Sequence, residues 1–418
     1  MRVTASMPNG HWPTLVASFL HFDLSFMLWV LLGALGIYIA ESLGLSPAEK
    51  GLLVAVPILS GSLLRIPLGL LSDRLGSKRV GVAMLAFLFV PLALGWRAGD
   101  TLPALLAIGL MLGTAGASFA VALPLASRWY PPERQGLAMG VAAAGNSGTV
   151  LANLIAPRLA DVVGWHNVLG LAMLPLGVVL LAFLVLAKDS PVPTTGQPLR
   201  HYLTALAHGD IWWFCLLYSV TFGGYVGLSS FLPLFVRDQY ALDPVTAGYL
   251  TALAAFVGSG VRPVGGYLAD RLGGVRMLSM LLLGIGAIYA LASLLPAVEV
   301  MAGLVVVGML CLGMGNGAVF QLVPQRFQHQ IGIATGVVGA VGGLGGFGLP
   351  LVLGNIKQGT GSFAPGFVVL ALLAFGALTT LRFLVAIRPG WRVSWRLPQP
   401  AAERERGGRW SPMRGAQG

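Results

Sequence analysis

The chain has 418 residues, 56% of them hydrophobic and only 10% charged, with a mean hydropathy of +0.81. A soluble domain carries about 25% charged residues, so this composition excludes a water-soluble protein, and polar disorder with it. The formal charge of +11, from 26 Lys and Arg against 15 Asp and Glu, would suggest nucleic acid in a soluble chain; here the position of each charge matters more than the sum.

The first twelve residues hold one arginine and run into an apolar stretch too long for a signal core. No small-residue cleavage site follows, so the first span is expected to stay. A helix needs about 20 apolar residues to cross a bilayer. Runs of that kind predict helices over 14–40, 50–71, 79–97, 103–129, 136–160, 167–187, 211–236, 246–269, 276–296, 300–325, 331–355 and 364–387. The expected fold is an all-α membrane protein of twelve transmembrane helices. Cys215 and Cys311 fall inside apolar runs, without metal spacing, and read as small buried hydrophobes. No cofactor or metal is expected.

The longest internal polar stretch, 188–210, falls at the midpoint. It reads as a linker between an N-terminal six-helix half, 1–187, and a C-terminal one, 211–387. The tail 388–418 carries seven arginines and is expected to lack a packed structure. An even helix number places both termini on one side. That side collects Arg2, Arg74, Lys78, Arg79, Arg128, Arg134, Lys188, Arg200, Arg271, Arg276, Arg326 and the seven tail arginines, 11 + 7 = 18, against five on the other. The positive-inside rule then puts both termini and the linker in the cytoplasm of a cell-membrane protein, and accounts for the charge without nucleic acid.

The halves repeat. GLLSDRLGSKR (69–79) returns as GYLADRLGGVR (266–276), and Arg65 and Arg262, Asp73 and Asp270, and Gly76 and Gly273 are each 197 positions apart. GLAMGVAAAGNSG (136–148) returns as GIATGVVGAVGGL (332–344) at a spacing of 196. Two parallel-related halves mark a rocking transporter with its site near the midplane. The G-x-x-x-D-R-x-G loop, duplicated, resembles the major facilitator superfamily over the whole chain. In that loop Gly69 and Gly266 are expected at close helix contacts. Asp73 with Arg74, and Asp270 with Arg271, are the expected gating residues, the aspartates capping a helix end or pairing with an arginine to lock one state.

Three arginines lie inside apolar runs: Arg65, Arg262 and Arg382. An arginine at the centre of a span costs at least about 2.5–3.5 kcal/mol, so it faces a cavity or a partner. Arg382 is near a helix end and can snorkel. Arg65 and Arg262 occupy equivalent places, and pseudo-symmetry brings them face to face. The one acid deep in a span is Asp23. Two cations with at most one acid leave a positive cavity, which points to an anion site with two guanidinium forks; the alternative is that each arginine pairs with backbone carbonyls or with Asp23. Asp23 is open to two readings, structural partner of an arginine or proton carrier. His21 stands two positions before it, on another face, which argues against a relay.

The Gly-rich runs 140–150 and 336–348 fall on the fifth and eleventh helices. Glycines there serve close backbone packing, and they also let backbone approach a very small ligand. Gly145, Gly342, Gly343 and Gly346 are the candidates, with Asn146 adding an amide donor. These segments, AAAGNSG and GAVGGLGGFGLP, with one embedded arginine on helix 2 and one on helix 8, are similar to the nitrate/nitrite porter family of that superfamily. LLYSVTFGGYVG on helix 7 matches at Tyr218 and Phe222. GASFA on helix 4 matches at Phe119, with Ser118 where an Asn is frequent, and GNGAVFQLV on helix 10 matches with Asn316 and Gln321. The resemblance implies that Arg65 and Arg262 clamp a planar monovalent anion, that Phe119 and Phe222 stack on its faces, and that Tyr218 and Asn146 donate to its oxygens.

Residue chemistry agrees with that implication. Nitrate offers in-plane oxygens that a guanidinium fork matches, and a flat face that suits aromatic walls. A tetrahedral, often divalent ion could use Lys as a point charge, and no Lys lies mid-span. The expected function is secondary transport of nitrate and/or nitrite, not enzyme catalysis, by a protein expected to be a monomer. A different small anion is the alternative substrate, and a sensor built on a transporter fold the alternative class. Entry of nitrate against a negative-inside potential costs about 2.3 kcal/mol per 100 mV. Either proton symport or nitrate/nitrite exchange overcomes that cost. Asp23 favours symport.

Overall fold

The computed structural model describes residues 10–130, 132–189, 206, 209–327, 331–388 and 391. Residues 1–9 with Arg2, most of the predicted linker with Arg200, and the tail arginines beyond Arg388 lie outside the described residues. Among the described residues the regular structure is helical throughout. Eleven helices are each long and apolar enough to cross a bilayer: α2 (Pro47–Leu75), α3 (Ser77–Ala98), α4 (Leu102–Ser127), α5 (Ala138–Val163), α6 (Trp165–Leu186), α7 (Gly209–Tyr240), α8 (Pro244–Leu272), α9 (Gly274–Ala292), α10 (Val298–Val323), α11 (Ile333–Thr360) and α12 (Ala364–Ile387). The first span, α1, is built from three consecutive pieces, Trp12–Trp29, Leu31–Ala34 and Gly36–Leu43, jointed at Val30 and Leu35. It completes the twelve, and the helix pattern agrees with the sequence within a few residues at each end.

Local chemistry sets the helix ends. Ser46 and Glu49 form a capping box ahead of α2, with Pro47 as its first residue. Asp243 caps α8 by accepting from the Thr246 N–H, and Pro244 opens that helix. These side chains satisfy backbone donors that a helix start leaves free. Each copy of the repeated loop turns on a glycine with positive φ, 93° at Gly76 and 89° at Gly273, a conformation strained for any other residue.

Three helices leave the α geometry inside the membrane. Residues Gly113–Ala117 of α4 and Ala144–Ser147 of α5 are 3₁₀ turns, and Ser219–Gly223 of α7 is a π turn. Irregular backbone at membrane depth is tolerated where protein covers it or a cavity receives it, and π turns within helices gather at functional sites.

The two halves meet chiefly along α2 and α11, which run antiparallel. Gly343 packs on Ser62, Gly346 on Ile58 and Gly223, Gly51 on the Pro350 carbonyl, and Gly354 on the Pro47 carbonyl. At the same end Lys50 pairs with Asp238 at 2.7 Å and Arg237 with Glu41 at 2.8 Å, while Arg158 of α5 lies 4.7 Å from the Tyr249 ring of α8. The halves are therefore closed at the end holding the α1–α2 and α7–α8 loops. Toward the opposite end of α11 a Cβ at Gly336 meets open space.

Two expectations for the repeated loop need correction. A Cβ at Gly69 would meet only the Ala120 Cβ at 3.5 Å, and one at Gly266 only the Gly317 carbonyl oxygen at 3.7 Å. Both are ordinary van der Waals contacts. The close approach on α8 belongs to Gly265, whose Cβ would overlap Met314 backbone, because that is the glycine turned toward α10. The loop aspartates also differ from one another. Asp73 pairs with Arg128 of α4, whereas Asp270 accepts from the Gln321 amide of α10 at 2.8 Å. Arg271 lies over the Tyr267 ring at 4.5 Å, and Arg74 is exposed.

Candidate functional site

Arg65 sits where the α2–α11 contact ends. It is 3% exposed, and its fork is held by carbonyls: Nε donates to Gly116 at 3.1 Å and Nη1 to Gly339 at 2.6 Å. The 3₁₀ turn of α4 presents the first carbonyl, and α11 of the other half presents the second. Nη2 is buried and has no partner. Three aromatic rings surround the guanidinium, Phe222 at 5.0 Å and Trp29 and Phe119 at 5.5 Å.

Arg262 opens the second part of α8 and approaches the same ring from the other half, 5.9 Å from Phe222. Its Nη2 donates to the Tyr218 hydroxyl at a long 3.5 Å. The Phe222 ring is thus shared by both guanidinium groups. Tyr218 stacks on Phe222 with centroids 4.9 Å apart and planes within 3°. Residues four apart lie on one face of a helix, and this pair brackets the start of the π turn at Ser219–Gly223.

Asn146 lies in the 3₁₀ turn of α5, 1% exposed, with neither amide atom bonded. Its neighbours on that turn pack inward on α1: Gly145 against Phe22 and the Asp23 backbone, and Gly148 against the Asp23 carbonyl. Gly342 lies against the Tyr218 ring, and Gly343 faces both Ser62 and the Arg65 Nη1. Gly346 faces α2 and α7. These glycines therefore bring helices together around the arginines.

Asp23 accepts from the Ser147 hydroxyl at 2.6 Å. Among the described residues it pairs with neither arginine. His21 turns the other way, to the Gly81 carbonyl at 3.3 Å and the Phe183 ring at 4.8 Å, so the two residues diverge as their spacing requires. Arg382 is exposed near its helix end.

Several site residues escaped the sequence reading. Phe320 of α10 meets Tyr218 edge-on at 4.9 Å and Phe119 at 6.1 Å, so it joins the aromatic walls of the two halves. Trp29 is held by the Pro57 carbonyl at 2.8 Å and borders Arg65. Only their aromatic character within apolar runs could have drawn notice to either. The carbonyls of Gly116 and Gly339 carry no side-chain signal at all.

Arg65 is buried and Arg262 half-buried, and among the described residues no acid pairs with either, so the layer is positively charged. Two guanidinium groups in low dielectric repel one another and favour an anion between them. The aromatic faces exclude water and fit a flat ion.

The Major Facilitator Superfamily model matches residues 17–350. The nitrite extrusion protein of Bacillus subtilis is 36% identical over 358 residues, covering 84% of this chain and 89% of that one. A probable nitrate/nitrite antiporter of Thermus thermophilus, NarK1, is 35% identical over 390 residues, covering 85% and 88%. A probable nitrate transporter of Staphylococcus epidermidis, NarT, is 32% identical over 363 residues, covering 85% and 92%. Among solved structures, a bacterial homologue of the human lysosomal transporter Spinster, in an inward-facing and unoccupied conformation, superposes with a TM-score of 0.64 at 20% identity, covering 96% of this chain and 98% of that one; this similarity concerns the fold alone. With twelve membrane helices, duplicated loops and a match across most of its length, the chain is a multi-pass membrane protein of the major facilitator superfamily and belongs within it to the nitrate/nitrite porters.

Proposed function

We propose that this protein carries nitrate and nitrite across the cell membrane by alternating access, with the anion held between Arg65 and Arg262. The observation that carries the reading is the sharing of the buried Phe222 ring by two guanidinium groups that have no acid partner among the described residues. A planar anion on that ring meets an arginine fork at each of two edges, with bidentate in-plane hydrogen bonds. Phe119 covers its other face, and Tyr218 and Asn146 donate to the remaining oxygen positions. The relatives named as nitrate and nitrite carriers support the same substrates. A transporter, not an enzyme, is what a layer built for binding without chemistry serves.

The halves 1–187 and 211–387 rock about this layer, joined by the linker 188–210 and followed by the basic tail 388–418. The excess of Lys and Arg on one side places both termini in the cytoplasm. The closed end, with Lys50–Asp238 and Glu41–Arg237, then faces outward, and the site opens inward. The protein works as a monomer in the lipid bilayer, with no nucleic-acid partner.

Asp23 couples nitrate entry to protons in this reading, through Ser147 beside Asn146. Exchange of nitrate for nitrite is the second reading. It is favoured by the separation of Asp23 from both arginines and by the antiporter named among the relatives. Counterflow in proteoliposomes tests the function: labelled nitrate should enter vesicles preloaded with nitrate or nitrite and not those loaded with sulfate or formate. Uptake with the other anions and not with these would refute it. A proton gradient imposed on vesicles without internal nitrite separates symport from exchange.

A further inference from the structure

We infer that Asn316 on α10 is a positioning residue for the Arg262 side of the anion site, its amide bridging the guanidinium group and the bound anion. The inference deepens the anion-transport reading and rests on it. Asn316 is 0% exposed, and neither its amide oxygen nor its amide nitrogen has a hydrogen-bond partner. A buried amide without partners is costly, and two unsatisfied atoms on one side chain ask what would satisfy them.

Helix packing fixes the height of Asn316. α7 and α10 run antiparallel: Gly224 packs on Leu312, Gly315 on Thr221, and Tyr218 meets Phe320. Asn316 is therefore level with Val220 and Thr221, about half a turn from Phe222. The next residue, Gly317, packs on the backbone of Arg262 and Gly266, so residues 316 and 317 stand at the height of Arg262.

The internal repeat leads to the same place. Asn316 lies within one residue of the counterpart of Phe119: 316 − 119 equals the Arg65–Arg262 spacing of 197, and the repeated contacts of Gly61 on Gly113 and of Gly258 on Met309 put Gly113 and Met309 196 apart along these helices. In the first half the Phe119 ring lies 5.5 Å from the Arg65 guanidinium carbon. The second half puts an amide where the first puts an aromatic wall.

The two arginines differ in what holds them. Arg65 is fixed by two backbone carbonyls, whereas among the described residues Arg262 has a single long bond, 3.5 Å to the Tyr218 hydroxyl. An Asn carbonyl supplies Arg262 with a neutral acceptor that fixes the fork and leaves its charge intact. The same amide keeps its N–H₂ for an oxygen of the anion, and both orphaned atoms are then satisfied. A carboxylate at this position would accept from Arg262 equally well, but it would cancel the charge and repel the anion.

The test uses the full-length protein with nitrate and nitrite as probes. Asn316→Leu keeps the size and removes both polar atoms; Asn316→Asp keeps the acceptor and removes the donor. Wild type should gain thermal stability in detergent on addition of nitrate. The Leu variant should be at least as stable as wild type without nitrate, lose the nitrate-dependent gain, and transport with KM raised about tenfold or more at a Vmax within about twofold, the loss expected for one hydrogen bond to a charged group. The Asp variant should insert and not transport. A Leu variant with wild-type KM for both anions overturns the inference. So does one that loses stability and Vmax together, which would make Asn316 a packing residue. If wild type itself responds to neither anion, the transport reading fails first and takes this inference with it.

Discussion

Lys50 on α2 and Asp238 on α7 join the two halves of the molecule across 2.7 Å, and both are half-buried, at 17% side-chain exposure. The preceding residue of α7, Arg237, reaches Glu41 of α1 at 2.8 Å. Two adjacent residues of one helix thus hold both of the first two helices of the other half. In a rocking transporter, pairs made in one state and broken in the other would bias the equilibrium between states without touching the substrate.

Asp238→Asn should therefore shift the protein toward the state open at the α1–α2 end. An exposed pair is worth about 0–1 kcal/mol, and a half-buried one lies toward the top of that range, so the shift should be a few-fold in population. Spin labels on the α1–α2 and α7–α8 loops would report it as a second, longer distance. The double variant with Glu41→Gln should shift further. An unchanged distance distribution in both variants would show that the backbone packing of α2 on α11 alone closes this end.

Arg65→Lys and Arg262→Lys should each abolish nitrate transport while the protein still inserts. Lysine keeps the charge and loses the planar fork. The Arg65 variant carries a second defect, because an ammonium group cannot reproduce the paired bonds to Gly116 and Gly339 together with a free edge for the anion. Uptake at the wild-type rate in either variant would remove the clamp.

The membrane helices were legible in the sequence because the bilayer imposes a length, and the two arginines because burying them is so costly that only a partner or a ligand explains them. The finer arrangement was not legible, and the reasons are particular. Gly265 and Gly266 are adjacent and chemically identical; only the rotation of α8 decides which one faces Met314. The π turn at Ser219–Gly223 leaves no mark in a helical pattern. Asp73 and Asp270 occupy equal places in the repeat, yet α4 offers Arg128 to one and α10 offers Gln321 to the other. Phe320 resembles any other aromatic residue of a span until Tyr218 is brought against its ring.

The glycines of the interface divide into two classes that substitution should separate. Gly343→Leu should block transport, since even a Cβ there would overlap the Ser62 side chain, and α2 would be driven from α11. Gly265→Ala should do the same between α8 and α10. Gly69→Ala and Gly266→Ala should be nearly silent, because each added methyl would sit at ordinary contact distance, 3.5 Å from Ala120 and 3.7 Å from Gly317. Initial rates of nitrate counterflow, normalised to inserted protein, would check all four. A block by Gly69→Ala with normal insertion would mean that the other transport state brings α2 closer to its neighbour than this one does.

Asp23 decides between the two coupling schemes. It stands on α1 with its carboxylate bonded to Ser147, one residue from Asn146 and therefore one residue from a proposed donor to the anion. If it carries the proton, anion binding and protonation must strengthen one another by the same factor, because the coupling free energy is reciprocal. The physical route is electrostatic: the anion offsets part of the field of Arg65 and Arg262, and neutralising Asp23 removes a repulsive charge from the approaching anion. Asp23→Asn fixes the neutral form and keeps a hydrogen-bonding partner for Ser147. It should preserve nitrate binding and nitrate/nitrite exchange, and it should remove the stimulation of nitrate uptake by an inward proton gradient. Asp23→Ser, which shortens the side chain and withdraws the carboxylate from Ser147, should lose the same stimulation. Accumulation of nitrate by the Asn variant in response to a pH gradient would exclude Asp23 as the carrier. Wild-type vesicles indifferent to the gradient, yet active once nitrite is placed inside, would establish exchange, with the Asp23–Ser147 bond then serving only to pin α1 against α5.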